Sequence, residues 1–292
     1  MKTALVFGAS GQIGAPLVHR LGERGWRVLA VSRDVHSDAP GRQWLQGEFA
    51  RMPALPAAVD AIFSCGPLDA FARWYAESRV AAPRILAFGS TSAMTKHDSE
   101  DEHERDLVRR LLGAEAALFA ASERRGAAAT MLRPTLVYGR GRDATLSRIA
   151  ALAQRHGRFP LPRHAGGLRQ PVHVDDLAEA AFAASQSAAA QGRAYDLPGG
   201  ETLAYREMVG RVLACLEPPA KLVELPMPLF RLALRVARSR GIARDLTGAA
   251  VQRMREDLVF DAGPARRDFG YAPRGFVPDA EMFRFPVGNR GQ

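Results

Sequence analysis

Cysteine is scarce in this sequence: Cys65 and Cys215 are the only two. They lie far apart and show no metal-ligand spacing, so they read as reduced core thiols of a cytoplasmic protein. Long hydrophobic runs are missing too. The alanine-rich stretch LAEAAFAASQSAAA is broken by Glu179, Ser185 and Gln186, and nothing approaches a membrane span. The opening residues MKTALVFGAS carry one lysine and a short apolar run, which suits a first strand and not a signal peptide. Zinc-finger, RNP and basic-zipper patterns are all lacking, which argues against nucleic acid as the partner. No internal repeat is evident either.

What is present is ordinary for a globular enzyme: 292 residues, 47% hydrophobic and 24% charged. The net charge of +9 points to anionic partners, for which phosphorylated small molecules suffice. Through the first half of the chain, β-rich runs alternate with helical stretches. Strands are expected at 3–8, 27–33, 61–65, 84–90 and 129–134, and a helix at 13–25 that closes on Gly25. This rhythm predicts a parallel sheet with right-handed crossovers and helices on both faces. Beyond residue 134 it loosens into loops rich in Gly, Arg and Pro. Two helices at roughly 176–187 and 204–216 follow, then a basic segment and a Pro/Gly-rich tail.

Between the first strand and the first helix stands GASGQIG, residues 8–14. Gly8 permits a tight turn, Gly11 lets the backbone approach a pyrophosphate, and Gly14 lets the helix pack on the sheet. With Ser10, Gln12 and Ile13, these glycines form the candidate cofactor loop, and the helix N-terminus faces the phosphates. The fold expected is therefore α/β, a Rossmann-like doubly wound parallel sheet with a smaller C-terminal lobe. Residues 1–135 would form the dinucleotide domain. Residues 136–292 would form mainly the substrate lobe, with elements returning to the first domain.

The GxxGxxG spacing resembles the short-chain dehydrogenase/reductase superfamily, and later stretches resemble its extended, NAD-dependent epimerase/dehydratase-like branch. These stretches are FGSTSAM (88–94), MLRPTLVYGRGRD (131–143), QPVHVDDLAEAAFAA (170–184), YDLPGGETLAYREMV (195–209) and GYAPRGFVPD (270–279). Together they span nearly the whole chain. The resemblance implies a nicotinamide dinucleotide cofactor and a small-molecule substrate such as a nucleotide sugar or similar anionic metabolite.

Members that use NAD typically end the second strand with an acidic residue. Here Ser32 takes that place and Arg33 follows it. A guanidinium can pair with a 2′-phosphate that a carboxylate would repel, so NADP is favoured. Asp34 keeps NAD open as the alternative.

The resemblance further implies a serine or threonine after the fifth strand, matched by Thr91, which orients the substrate oxygen. It also implies a Tyr-x-x-x-Lys pair on the next helix, ERDLVRRLLGAEAAL (104–118). Aligning Glu115 with the family's glutamate puts Leu107 and Leu111 at those two positions. Counting back from Arg133 puts Asp106 and Arg110 there instead, and neither register supplies a phenol. Leu107, Val108, Leu111, Leu112, Leu118 and Phe119 form the expected apolar stripe of this helix.

A replacement proton donor would come from KHDSEDEHERD (96–106), where His97 is the first candidate beside Lys96 and His103. Two readings follow. One is an atypical oxidoreductase or epimerase with Thr91 and His97 at its centre; the other is a non-catalytic NADP(H)-binding sensor or scaffold.

Three stretches draw attention for other reasons. HVDD (173–176) is incomplete as a metal site, and the expectation is a strand ending at Val174 with an aspartate capping the next helix. FGSTSAM lacks the GxSxG of a nucleophile elbow. In MPLFRLALRVARSRG (227–241), Arg231, Arg235 and Arg238 share one helical face, with Leu229, Leu232, Ala233 and Val236 elsewhere. Such a helix can rest on anionic lipid, or its arginines can meet solvent or a substrate diphosphate.

Overall fold

The computed structural model describes residues 1–95, 99, 101–141, 143, 145–239 and 248–283. Its elements run β1 (Thr3–Phe7), α1 (Gly14–Glu23), β2 (Arg27–Ser32), β3 (Arg42–Gln46), β4 (Ala61–Ser64), α2 (Leu68–Glu77), β5 (Arg84–Phe88), α3 (Ser92–Thr95), α4 (Glu102–Arg124) and β6 (Ala128–Pro134). Then follow β7 (Val137–Tyr138), α5 (Leu146–His156), β8 (Arg158–Pro162), β9 (Leu168–Arg169), β10 (Val172–His173), α6 (Val174–Gln186) and β11 (Arg193–Leu197). The chain continues with β12 (Leu203–Ala204), α7 (Tyr205–Ala214), β13 (Lys221–Leu225), α8 (Met227–Ser239), α9 (Gly248–Arg253) and α10 (Gly263–Phe269).

Two compact units result. The first comprises 1–135, 174–198 and 260–273; the second comprises 136–173, 199–259 and 274–292.

The first unit is a seven-stranded sheet in the order β11-β6-β5-β4-β1-β2-β3. Every pairing is parallel, with Leu5 opposite Leu29 and Ile62 opposite Ile85. This is the Rossmann-like doubly wound arrangement, and its strand order reverses between β1 and β4, where such sheets open a ligand crevice. Central strands covered on both faces read as unbroken apolar runs, as in the ALVF of β1 and the AIF of β4. Leu5, Phe7, Leu29, Ile62, Phe71, Tyr75, Ile85 and Leu118 form the core on the α2/α4 side. Helix α1 ends as its sequence asks: Gly25 adopts φ +73°, and the Trp26 amide returns to the Leu21 carbonyl at 3.0 Å.

The second unit holds its own core, built from Tyr138, Leu146, Ile149, Met208, Val209, Val212 and Phe276. Its sheets are two-stranded: β10 with β7, β12 with β9, and β13 with β8.

Several sequence expectations need correction. Strand β3 was not expected at all; its RQWLQ pattern is half exposed, as befits the sheet edge. Strand β10 closes at His173, and Val174 already opens α6. Asp175 and Asp176 therefore occupy the first turn, favoured by the helix dipole, and neither is the residue that precedes the helix. Leu112 is 41% exposed and leaves the apolar stripe of α4, because it lies about 100° around the helix from Leu111. Leu111 and Phe119 pack on the core while Val108 and Leu118 are buried within it.

Candidate cofactor and active site

The glycine loop follows β1 at the point where the strand order reverses. Gly8 takes φ +66°, and a Cβ there would stand 2.9 Å from the backbone of Cys65. The Gly11 amide donates to the Gly8 carbonyl at 2.9 Å, closing the turn. Gly14 is tighter still: its Cβ would fall 2.0 Å from the Gly8 carbonyl oxygen. These contacts bring the start of α1 directly against the loop.

No side chain caps α1, and its first turn holds no acid. Its leading amides, at Gln12 and Ile13, are donors with no intrahelical carbonyl to meet. The Gln12 side-chain amide nitrogen is buried without a partner, as is the Ser64 hydroxyl at the end of β4. A cradle of backbone donors, an uncompensated helix dipole and an orphaned amide suit a pyrophosphate.

Ser32 is buried and knits this loop to the second strand. Its hydroxyl lies 2.8 Å from that of Ser10 and 3.2 Å from His36 Nε2, and it accepts from the Asp34 amide at 3.1 Å. His36 in turn lies against the Trp44 ring, centroid to centroid 4.1 Å. Arg33 is exposed, and its carbonyl accepts from Gln46 Nε2 at 3.2 Å.

The next loop, 47–53, is pinned to the same place. The Gly47 amide donates to the Ser32 carbonyl at 2.8 Å, Glu48 and Arg51 exchange backbone hydrogen bonds, and Phe49 packs on Phe7. A cavity of about 570 Å³ results, lined by Arg33, Gln46, Gly47, Glu48, Arg51, Met52 and Pro53. Two arginines and one glutamate are thus among its lining residues. Sequence reasoning found Arg33 but missed Arg51, Gln46 and His36. A GEFAR turn directly after a strand was the available signal, and it went unread because β3 itself was missed.

At the end of β5, Thr91 is buried and its hydroxyl donates to the Pro134 carbonyl at 3.2 Å. The Thr91 amide reaches the same oxygen at 3.2 Å. The proton of Thr91 is thus committed, leaving its lone pairs to receive a donor. Ser90 is arranged the other way: its oxygen accepts from the Ser92 amide at 3.1 Å, which leaves the hydroxyl proton to give. His97 and Lys96 lie outside the described residues. His103 stands in the first turn of α4, exposed, where its amide donates to the capping Asp101 carboxylate at 2.9 Å.

Helix α4 contains neither tyrosine nor lysine. Leu107 and Leu111 are both half-buried. Asp106 and Arg110, the pair of the alternative register, bond each other at 3.0 Å on the helix surface, and Asp106 also meets Arg109. Deeper on the same helix, Glu115 is clamped by Arg133 from β6 through two hydrogen bonds, and Asp196 of β11 lies 3.8 Å from that guanidinium. Burial pushes the Asp196 carboxyl above its ordinary range, against the pull of Arg133. Burial likewise pushes the Cys65 thiol far up, so this cysteine beside Gly8 remains a neutral thiol. Among the described residues, no group of three or more His, Cys, Asp or Glu side chains is placed to hold a metal ion.

Known proteins resemble this chain in sequence and in fold. Residues 4–82 match the model of the NAD dependent epimerase/dehydratase family. The chain is 26% identical to a 2-alkyl-3-oxoalkanoate reductase of Stenotrophomonas maltophilia, over 92% of this chain and 94% of that protein. It shares its fold with an epimerase of Methanothermobacter thermautotrophicus, at a TM-score of 0.68 and 17% identity, covering 97% of this chain and 90% of the other. It also shares the fold of the Bordetella bronchiseptica enzyme WbmF, solved with NAD+ and UDP, at a TM-score of 0.66 and 16% identity, with 97% and 90% covered.

Proposed function

We propose that this chain, whose residues 4–82 match the model of the NAD dependent epimerase/dehydratase family, binds NADP(H) and acts as an atypical oxidoreductase or epimerase. The substrate class we favour is a small anionic metabolite bearing a carbonyl or secondary hydroxyl, such as a nucleotide sugar or an oxo acid. One observation carries the cofactor choice: Arg33 and Arg51 line a single cavity beside Ser32, the position at which NAD-using relatives typically place an acid. A 2′-phosphate would meet two arginines there against the single carboxylate of Glu48, and Ser32 adds no further opposing charge. Gly8, Ser10, Gly11, Gln12, Ile13 and Gly14 would hold the pyrophosphate by backbone amides and the helix dipole.

When bound, the nicotinamide supplies or takes up a hydride. The protein's own part is to hold the substrate oxygen and move its proton. Ser90 donates to a carbonyl oxygen and Thr91 accepts from a hydroxyl, so the two would grip the substrate in its two oxidation states. The Cys65 thiol stays neutral and offers no competing nucleophile. His97 remains our candidate for the proton donor that α4 does not provide. A second reading, a cofactor-binding sensor or scaffold, is favoured by that same helix, where leucines stand at the positions of the acid/base pair.

The test is a titration of NADPH and NADH against the parent protein, Arg33→Asp and Arg51→Gln. Either change should weaken NADPH by roughly 1–3 kcal/mol, the scale of a charge-assisted hydrogen bond, and leave NADH nearly unchanged. Equal losses for both cofactors would sink the proposal. Nucleotide sugars and oxo acids are then screened with NADPH against Ser90→Ala, Thr91→Ala and His97→Ala. Turnover that survives all three changes would refute this account of the site, and binding without turnover would move the reading to the sensor.

A further inference from the structure

Helix α8, Met227–Ser239, carries three different faces. At about 100° per residue, Phe230, Leu234 and Ala237 share one, and this face turns inward: Phe230 is 4% exposed. Arg231, Arg235 and Arg238 share a second face, and all three are exposed. Leu229, Leu232 and Val236 share the third, where they remain 54%, 55% and 43% exposed. A lone exposed leucine is ordinary. Three branched apolar side chains in line, next to a row of arginines and with no acid in the first turn, are not.

We propose that α8 is an interfacial helix that docks this protein on an anionic lipid surface. The pattern selects this occupant over others. Nucleic acid or an acidic protein would answer the arginines but leave Leu229, Leu232 and Val236 in water. A second copy of the helix would cover the leucines but bring two arginine rows of like charge together.

An anionic bilayer answers both faces. The apolar row enters the boundary between headgroups and acyl chains, while the arginines reach lipid phosphates and lay their methylene stems along the apolar surface. The helix has 13 residues, about 20 Å of rise, too short to cross a bilayer, so it would lie in the surface plane. The net charge of +9 draws the protein to such a surface before the helix engages.

The experiment is co-sedimentation of the full chain with vesicles of phosphatidylcholine alone and of phosphatidylcholine mixed with phosphatidylserine. We expect binding to the mixed vesicles, weakened by added salt, and little to the neutral ones. Arg231→Gln with Arg235→Gln should lower the partition coefficient about thirtyfold, at about fivefold per arginine near an anionic surface. A charge-matched control, Arg109→Gln with Arg124→Gln on α4, should change it no more than about threefold. Leu229→Gln with Leu232→Gln should lower it at least tenfold, because each half-exposed leucine loses its apolar transfer. Melting temperature and NADPH affinity, which do not depend on this face, serve as the check on folding.

Absence of binding to the mixed vesicles would overturn the proposal. So would equal losses in the control, which would reduce the effect to net charge. Full binding by the leucine variant would also overturn it. A change of oligomeric state in that variant, without lipid binding in the parent, would assign the face to a second copy instead.

Discussion

Replacing Gly14 with alanine adds one methyl group at the tightest point of the cofactor loop. The new carbon would stand 2.0 Å from the Gly8 carbonyl oxygen, 2.8 Å from the Gly8 carbonyl carbon and 2.9 Å from the Ala9 Cα. Comfortable contact begins near 3.5 Å, so loop and helix must part by about 1.5 Å. None of the three atoms belongs to a flexible side chain, and the Gly8 oxygen also accepts the Gly11 amide at 2.9 Å. Overpacking of this kind costs about 1–3 kcal/mol or more, and alanine's better helix propensity returns at most about 1. We expect a net loss of about 2 kcal/mol, which lowers the melting temperature by about 3 °C in a protein of this size. NADPH affinity should fall at least tenfold, because the amides of Gln12 and Ile13 move with the loop.

The same substitution at Gly113 makes the opposite case. A Cβ there would meet nothing within 4 Å, in the middle of the 23-residue helix α4. Gly113→Ala should therefore stabilise by up to about 1 kcal/mol through propensity alone and leave cofactor binding untouched. Thermal melts followed by tryptophan fluorescence and an NADPH titration measure both quantities. A Gly14→Ala protein that melts and binds like the parent would refute the packing argument. Loss of stability in Gly113→Ala would refute the account of that helix face as open.

Three further outcomes are expected. Thr91→Val keeps the side-chain shape but drops the hydroxyl bond to Pro134, whose oxygen retains the Thr91 amide; urea unfolding should show a loss of about 1 kcal/mol, and Thr91→Ser almost none. Glu115→Ala leaves the Arg133 guanidinium with Asp196 alone, and since both partners of the clamp are mostly buried the loss should be about 2–3 kcal/mol, while pairing it with Arg133→Met should cost less than the sum of the two. Burial pushes the Cys215 thiol up to about 11 and the Cys65 thiol higher still. At pH 8 a thiol-disulfide reagent should modify both at least about tenfold more slowly than a free cysteine, accelerating for Cys215 as the pH approaches 11. Rapid labelling of Cys65 at neutral pH would contradict this upward shift of its thiol.

What could be read from the sequence is what is local. The five inner strands announce themselves because burial on both faces demands unbroken apolar runs. The glycine loop does so because turn, close approach and helix entry fall within seven consecutive residues. Strand β3 escaped since an edge strand needs few apolar residues, and with it went Arg51. That residue reaches the cofactor end of the sheet only through a tertiary bond, Gly47 to Ser32. Strand β11 was equally hidden. Nothing in RAYDL says that it pairs with a strand some sixty residues earlier, Tyr195 opposite Leu132. Leu112 was misplaced for a simpler reason: at 100° per residue it lies about 120° around the helix from the buried Leu118, beyond the edge of the core-facing stripe.

The structure also separates two requirements that a dehydrogenase normally meets together. On the proposed reading, cofactor recognition would rest on β1, the glycine loop, the end of β2 and the loop 47–53, tied by Ser10 to Ser32 and by Gly47 to Ser32. None of these bonds involves α4. Helix α4 is held by its apolar contacts with the core and by the clamp between Glu115 and Arg133, one helical turn beyond Leu111. A phenol at position 107 or an amine at position 111 would contribute to neither arrangement. Leucine at both positions is therefore compatible with the fold and leaves the candidate cofactor loop whole, so on the proposed reading dinucleotide binding and proton transfer could be altered independently. That is why the cofactor and the proton donor call for separate experiments, and why a positive answer to the first says nothing about the second.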